Sequence, residues 1–268
     1  MISRQPVRPF QHTRVLALCA AIGIFSIATA SSRELRPGII GEDDRVRVDD
    51  LGAPWTAIGQ VNVGGYRRAN RCTGTLIAAN VVLTAAHCVI DAWRKAPFPL
   101  HDIHFLAGVR GSENGGHATA KCLHFAKGYE SSPGDRTHDS SPDPQVRDLT
   151  SDIVAIVLND KLDVEPMPVA ESAQLPPDMS LTHAAYAADR RFALSVHAGC
   201  HIQQFDRDAP LWLTDCDTHP ASSGGPLLAR VDGALKLVAI MIGTRGHVAN
   251  VALPISRWKE LVRVSTCP

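Results

Sequence analysis

Short apolar runs, many of them rich in β-branched residues, recur along most of the chain and are separated by turn residues. The clearest runs cover residues 75–77, 81–84, 103–106, 153–158, 211–214, 235–242 and 248–253. Runs of strand length bounded by turn residues are typical of all-β proteins. The pattern therefore predicts a barrel or sandwich architecture built from many short strands.

The pattern changes at three places. Near the C-terminus, apolar residues share one face at helical spacing, which predicts a helix over residues 255–265. Residues 128–148 are rich in Ser, Pro, Asp and Gly, a composition typical of a surface loop. Residues 159–177 contain four prolines, and we interpret them as the crossover between two lobes.

The N-terminal region has the layout of a secretory signal peptide. Three arginines precede the apolar run over residues 15–28, and the small residues Ala28-Thr29-Ala30 end it. The run is shorter than the roughly 20 residues that a membrane-spanning helix needs. Cleavage after Ala30 is therefore favoured over an uncleaved anchor, and we expect a secreted or periplasmic protein with no stable membrane insertion after cleavage.

Composition narrows the class of protein. The chain has 27 basic and 27 acidic residues, and 45% of its residues are hydrophobic. Three basic and no acidic residues lie within residues 1–30, so the remainder is slightly acidic and no nucleic-acid partner is predicted. The length of residues 31–268 suits one domain of two lobes or two small domains, and we expect a globular monomer.

Six of the seven cysteines lie beyond residue 30. An even number of cysteines in an exported chain indicates disulfides, although six cysteines can pair in many ways. No Cys-x-x-Cys occurs, which argues against a zinc site or a thioredoxin-like redox role. No metal site is therefore expected.

Two segments before residue 160 combine polar groups with apolar neighbours. One ends in Leu-Thr-Ala-Ala-His87-Cys88. In the other, Asp152 stands at the start of the apolar run 153–158. A carboxylate that enters a buried strand needs a partner, and an imidazole N–H is one such partner. Asp148 is the alternative carboxylate, but it lies in the polar loop.

A third segment, residues 215–226, reads Asp-Cys-Asp-Thr-His-Pro-Ala-Ser-Ser-Gly-Gly-Pro. Its second serine is Ser223. The two glycines that follow allow a tight turn, so that backbone N–H groups could converge on a developing oxyanion.

Together, the three segments resemble the chymotrypsin-like serine proteases over about residues 39–265. The histidine segment is similar to the family's catalytic-histidine motif, and residues 215–226 are similar to its nucleophile loop. The order of the three residues also matches chymotrypsin and differs from that of α/β-hydrolases. The resemblance implies that His87 is the base, Asp152 orients it and Ser223 is the nucleophile. The N–H groups of Ala221 and Ser223 would form the oxyanion hole.

The same resemblance implies the fold: two six-stranded antiparallel β-barrels followed by a C-terminal α-helix. The first barrel is expected over about residues 45–158 and the second over about residues 178–254, with the crossover at residues 159–177 between them. The helix would cover residues 255–265.

The resemblance also implies a disulfide between Cys72 and Cys88 around the histidine. Cys200 and Cys216 have the same separation in sequence, and we predict a second disulfide there. The remaining pair, Cys122 with Cys267, would tie the two lobes together because the family's terminal helix returns toward the first lobe.

Two departures from the family pattern stand beside Ser223. Ser222 replaces the aspartate that normally binds a newly cut N-terminus. Ile39-Ile40-Gly41 looks like the start of an activated chain, yet the bonds before it are poor sites for tryptic cleavage. Activation through that salt bridge is therefore not expected. Ala221 replaces the usual glycine, and its Cβ could tilt the N–H group of the oxyanion hole.

Substrate preference is left open by the sequence. Asp217 has the offset from Ser223 of the aspartate that selects basic side chains, but an Asp-Thr pair at this offset also occurs in glutamyl endopeptidases, a bacterial branch that the chain resembles. Met241 stands where those relatives carry a histidine. His219 and His247 are possible pocket residues, with surface positions favoured. The residues expected to line the substrate site are Asp217, Thr218, Ile242, Gly243 and Thr244.

The function that the resemblance implies is an exported serine endopeptidase that acts on polypeptide substrates and needs no cofactor. Two alternatives stay open. One is a catalytically silent homologue that binds a partner through the same scaffold. The other is an esterase that uses the same three residues.

Overall fold

The computed structural model describes residues 36–50, 52–65, 72–129, 149–170, 176, 178–205 and 211–267. The predicted signal peptide, most of the predicted loop over residues 128–148 and part of the predicted crossover lie outside the described residues. Among the described residues, no helix has the length and apolar character needed to cross a bilayer.

The first lobe is a closed six-stranded antiparallel barrel. Nine strands precede the crossover: β1 (Val46–Val48), β2 (Ile58–Val63), β3 (Cys72–Ala78), β4 (Val81–Thr84), β5 (Ile90–Asp91), β6 (Ala96–Pro97), β7 (Ile103–Ala107), β8 (Gly116–Phe125) and β9 (Val154–Leu158). The barrel order is β2-β3-β4-β9-β8-β7, and β5 pairs with β6 in a separate hairpin. Strands β4 and β9 are buried along their whole length, as the continuous apolar run 153–158 predicts.

The second lobe is an eight-stranded antiparallel sheet. It contains β10 (Leu181–Ala185), β11 (Leu194–Cys200), β12 (Ile202–Phe205), β13 (Trp212–Thr214), β14 (Pro226–Val231), β15 (Ala234–Arg245) and β16 (Ala249–Pro254). The strand order is β1-β11-β10-β14-β15-β16-β13-β12. The predicted all-β, two-lobed fold is confirmed, with eight strands in the second sheet instead of six.

Strand β1 crosses from the predicted first barrel to the second lobe. Its Val46 pairs with Val196 of β11, so residues 46–48 lie on the second lobe and the first barrel starts only at β2. Sequence alone did not show this, because the short strand carries no signal that names its partner.

Helical structure is confined to single turns in the described residues. The 3₁₀ turns are Trp55–Ala57, Ala86–Val89, Leu100–Asp102, Leu149–Ser151, Ala188–Arg190 and Ile255–Arg257, and the α-helix α1 is Lys259–Val262. The predicted helix over residues 255–265 is therefore shorter than expected. Trp258 has φ −122° and ψ 44°, outside the helical region, and it separates the last two turns.

Three disulfides are present: Cys72–Cys88, Cys122–Cys267 and Cys200–Cys216. These are the three predicted pairs. The second joins strand β8 to the residues after α1, so the C-terminal end of the chain is held against the first barrel.

Candidate active site

His87 lies in the single 3₁₀ turn that follows strand β4. Its side chain is buried, with 8% exposure. The disulfide from Cys88 to Cys72 fastens this turn to strand β3. The turn is therefore held at both ends, by the barrel strand before it and by the crosslink directly after the imidazole.

Asp152 comes directly before strand β9, which lies beside β4. Because Thr84 pairs with Val154, the end of β4 and the start of β9 lie side by side. The Nδ1 atom of His87 is 2.7 Å from Oδ2 of Asp152, and the backbone N–H of His87 donates to Oδ1 at 2.9 Å. The carboxylate is fully buried, and these bonds supply the partners that a buried charge requires. Asp148 lies outside the described residues.

Ser223 lies on the second lobe and contacts the segment that carries His87. Its carbonyl oxygen accepts the backbone N–H of Thr73 at 2.9 Å, and the sulfur of Cys88 lies 3.8 Å from the same oxygen. The hydroxyl of Thr73 donates to the carbonyl of Ala221 at 3.1 Å. The loop that carries Ser223 is thus hydrogen-bonded to strand β3 of the first barrel, beside the disulfide next to His87.

Gly224 lies against strands β3 and β4 of the first barrel. Its φ is +79°, and a Cβ at this position would meet Thr84 Oγ1 and the carbonyl of Thr73, with the backbone nitrogen of Ala85 at 2.9 Å. Only glycine fits both the left-handed conformation and the space. The residue after Ser223 therefore sets how near the loop lies to strand β4, which leads to His87.

The N–H groups of Ala221 and Ser223 donate no hydrogen bond within the part of the chain that the structure describes. They are available to a ligand. Ala221 has φ +75°, a left-handed conformation that costs a residue with a Cβ about 1–2 kcal/mol. The alanine thus keeps the backbone conformation that a glycine would adopt without strain.

A family model described as the trypsin-like peptidase domain matches residues 72–240. The chain belongs to the trypsin-like peptidase family. Membership supports a peptidase activity, and the match includes the segments around His87, Asp152 and Ser223.

Two solved structures share the chymotrypsin-like fold. A Glu endopeptidase in complex with MPD is 21% identical, with a TM-score of 0.66, and the similarity covers 84% of this chain and 97% of that one. The VesB protease of Vibrio cholerae is 17% identical, with a TM-score of 0.62, covering 81% of this chain and 65% of that one. No curated protein matches the sequence. The predicted chymotrypsin-like architecture is confirmed.

Asp217 occupies a different environment from the one expected of a specificity residue in a trypsin-like peptidase. The residue is fully buried. Its Oδ1 accepts the backbone N–H of Ile40 at 2.8 Å and its Oδ2 accepts that of Asp44 at 2.8 Å. Burial raises the pKa of Asp217, while these two N–H groups act in the opposite direction. The carboxylate faces the backbone of residues 40–44. It therefore does not fit the role of a counter-charge that binds cationic side chains of a substrate.

The other residues expected to line the substrate site lie in two different parts of the structure, Thr218 beside Gly38 and residues 242–244 on strand β15. Thr218 is buried and its N–H donates to the carbonyl of Gly38 at 2.8 Å. Ile242 is buried, Gly243 is half-buried and Thr244 is exposed. These three lie on β15 beyond Ile240, the last residue of that strand that pairs with β14.

The histidines considered for the pocket also differ. His219 is half-buried, with Nδ1 3.5 Å from Asp189 Oδ1, and burial lowers its pKa. His247 is exposed. Neither approaches Ser223 through a hydrogen bond within the described residues.

Three groups of potential metal ligands occur among the described residues. Two of them contain the disulfide cysteines, whose sulfurs are already bonded to each other. The third consists of Asp44, His197 and Asp217. There, Nδ1 of His197 accepts the N–H of Asp217 at 2.8 Å, so that nitrogen and the Asp217 carboxylate are both used in internal hydrogen bonds.

Sequence reasoning missed the two threonines that position the loop, Thr73 and Thr84. Thr84 donates to the carbonyl of Thr73 at 2.7 Å, and Thr73 accepts the N–H of Tyr186 at 2.9 Å. Threonine is ordinary in a strand, so the only signal was that both lie within the segment that resembles the histidine motif.

Proposed function

We propose that the protein is an exported serine endopeptidase whose catalytic residues are His87, Asp152 and Ser223. The observation that carries the proposal is the pair of hydrogen bonds from His87 to the buried Asp152, next to a serine loop bonded to strand β3. A carboxylate that accepts a hydrogen bond from Nδ1–H leaves the other ring nitrogen, Nε2, unprotonated and able to act as the base.

The reaction follows from these roles. His87 takes the proton of Ser223 as the hydroxyl oxygen attacks the scissile carbonyl, and the N–H groups of Ala221 and Ser223 stabilise the oxyanion. His87 then gives the proton to the leaving amine, which leaves an acyl-enzyme. Water activated by the same imidazole hydrolyses that ester.

In this proposal the substrate binds along the edge of β15 that faces away from β16, whose Val251 and Asn250 pair with Gly243 and Thr244. Strand β14 begins at Pro226, directly after the nucleophile loop, and pairs with β15 only as far as Ile240. Residues 242–244 therefore present a strand edge beside that loop. An extended peptide can add to such an edge through main-chain hydrogen bonds, which suits polypeptide substrates of varied sequence.

Export accounts for the three disulfides and the predicted signal peptide. Disulfides form and persist in oxidising compartments. A periplasmic or secreted location would therefore keep Cys88 crosslinked beside His87 and Cys216 crosslinked ahead of the nucleophile loop.

A fluorophosphonate probe tests the proposal. We expect the probe to label Ser223 and Ser223→Ala to abolish both labelling and peptide cleavage. Ser222→Ala is the matched control, because Ser222 neighbours the nucleophile and its hydroxyl accepts the N–H of His219. Labelling that persists in Ser223→Ala would refute the assignment.

A further inference from the structure

The residue beside the proposed nucleophile carries no charge. Ser222 stands at that position, is 1% exposed, and uses its hydroxyl oxygen to accept the N–H of His219 at 3.3 Å. A neutral hydroxyl in this environment gives no counter-charge to an α-ammonium group. The contact that holds the nucleophile loop to the segment before β1 lies elsewhere, at Asp217.

Asp217 provides that contact through peptide groups. The N–H groups of Ile40 and Asp44 donate to its two carboxylate oxygens, each at 2.8 Å. Peptide N–H groups are present in a continuous chain, so this arrangement requires no free amino terminus. Residues 38–45 form what we call the anchor segment.

Gly38 fixes the first end of the anchor segment. Its N–H donates to the carbonyl of Gly246 at 2.6 Å. Its own carbonyl accepts the N–H of Thr218 and the side-chain amide of Asn250, each at 2.8 Å. A cut after Gly38 would place a new carboxylate in these bonds and a new ammonium on the buried Ile39, at a high desolvation cost.

Arg45 fixes the other end. Its side chain is 3% exposed and bonds Asp43 at 2.8 Å and Asp189 at 2.7 Å. Beside Asp189, the N–H of Ala188 donates to the carbonyl of Pro220 at 2.7 Å. Pro220 directly precedes Ala221, so the anchor segment also reaches, through Asp189 and Ala188, the residue just before the turn that carries the oxyanion N–H groups.

We infer, on the basis of the serine endopeptidase function proposed above, that Asp217 is a positioning residue. It uses the uncut anchor segment to hold the nucleophile loop, so that the peptidase is active without cleavage in residues 38–45.

The first test uses the full chain, exported and purified, with intact mass used to verify that residues 38–45 are uncut. We expect stoichiometric fluorophosphonate labelling of Ser223 in this uncut form. Labelling only after a cut within the anchor segment would overturn the inference and leave the serine endopeptidase function standing. Labelling in neither form would instead refute the proposed function.

The second test measures kcat and KM in variants of Asp217. Asp217→Ala should lower kcat about 100-fold, the loss typical of a displacement near 1 Å in a catalytic group. Asp217→Asn keeps the shape and one acceptor oxygen, so its kcat should lie between those of wild type and Asp217→Ala. KM should change little in both variants.

Ile103→Ala is the matched control for a loss of stability alone, because Ile103 is a buried residue of strand β7 in the first barrel. It should lower Tm and leave kcat unchanged below the transition. An Asp217→Asn variant that loses Tm and retains kcat would overturn the inference, as would a rise in KM confined to substrates with basic side chains. Should Asp217→Ala fail to fold, Gly38→Ala tests the same anchor, since a Cβ there would lie 2.7 Å from the carbonyl of Thr218.

Discussion

Gly224→Ala should damage both stability and catalysis, because the new Cβ has no space between the lobes. Gly224 has φ +79°, and its Cβ would meet Thr84 Oγ1 and the carbonyl of Thr73. The left-handed conformation costs an alanine about 1–2 kcal/mol. Relieving the overlap adds about 1–3 kcal/mol, the usual cost of overpacking. We therefore expect the free energy of unfolding to fall by about 2–5 kcal/mol in urea titrations.

Gly233→Ala separates the two contributions. Gly233 has φ +80° in the exposed turn between β14 and β15, and its Cβ would meet no atom within 4 Å. This control carries the conformational cost of about 1–2 kcal/mol alone. In Gly224→Ala the loop must also move away from strand β4, and kcat/KM should fall about 100-fold. Equal losses of stability and activity in the two variants would refute the close-approach argument.

Three further outcomes can be measured. Burial lowers the pKa of His183 to about 4, so the unfolded chain binds a proton near the ordinary value of about 6.5 while the folded chain does not. Stability should therefore drop by about 3 kcal/mol as pH falls from 6.5 to 4, and His183→Gln should flatten that slope in urea titrations. Replacing both Cys122 and Cys267 by serine should lower the free energy of unfolding by about 5 kcal/mol on the chain-entropy account, and an unchanged denaturation midpoint would contradict it. Ala221→Gly should raise stability by about 1 kcal/mol through relief of the left-handed strain, and a loss would show that the alanine methyl packs favourably.

Some of the site could be predicted because its signals are local in sequence. His87 is identified by the residues directly before it, and Asp152 by the apolar strand directly after it. The structure places their side chains 2.7 Å apart. Strand β9 was predicted for the same reason, since a continuous apolar run of that length is typical of a strand buried on both faces.

The terminal helix shows where a local signal misleads. Apolar spacing favoured a helix over residues 255–265, but the backbone at Trp258 leaves the helical region and only Lys259–Val262 is α-helical. Apolar periodicity reports which side chains face the core. It does not report the backbone conformation by which they reach it.

The sequence pattern by itself determined the all-β class, and the resemblance of its motifs to the chymotrypsin-like proteases supplied the three catalytic candidates and the pairing scheme for the cysteines. Only the tertiary structure decided the environment of Asp217, whose offset from Ser223 suggested a substrate pocket. Its hydrogen-bond donor Ile40 is 177 residues away in sequence. A carboxylate interacts with whichever groups the fold brings next to it. Strand β1 places the anchor segment on the second lobe, and β1 pairs with β11 only in the folded chain. The role of such a residue is therefore set by contacts that no local pattern encodes.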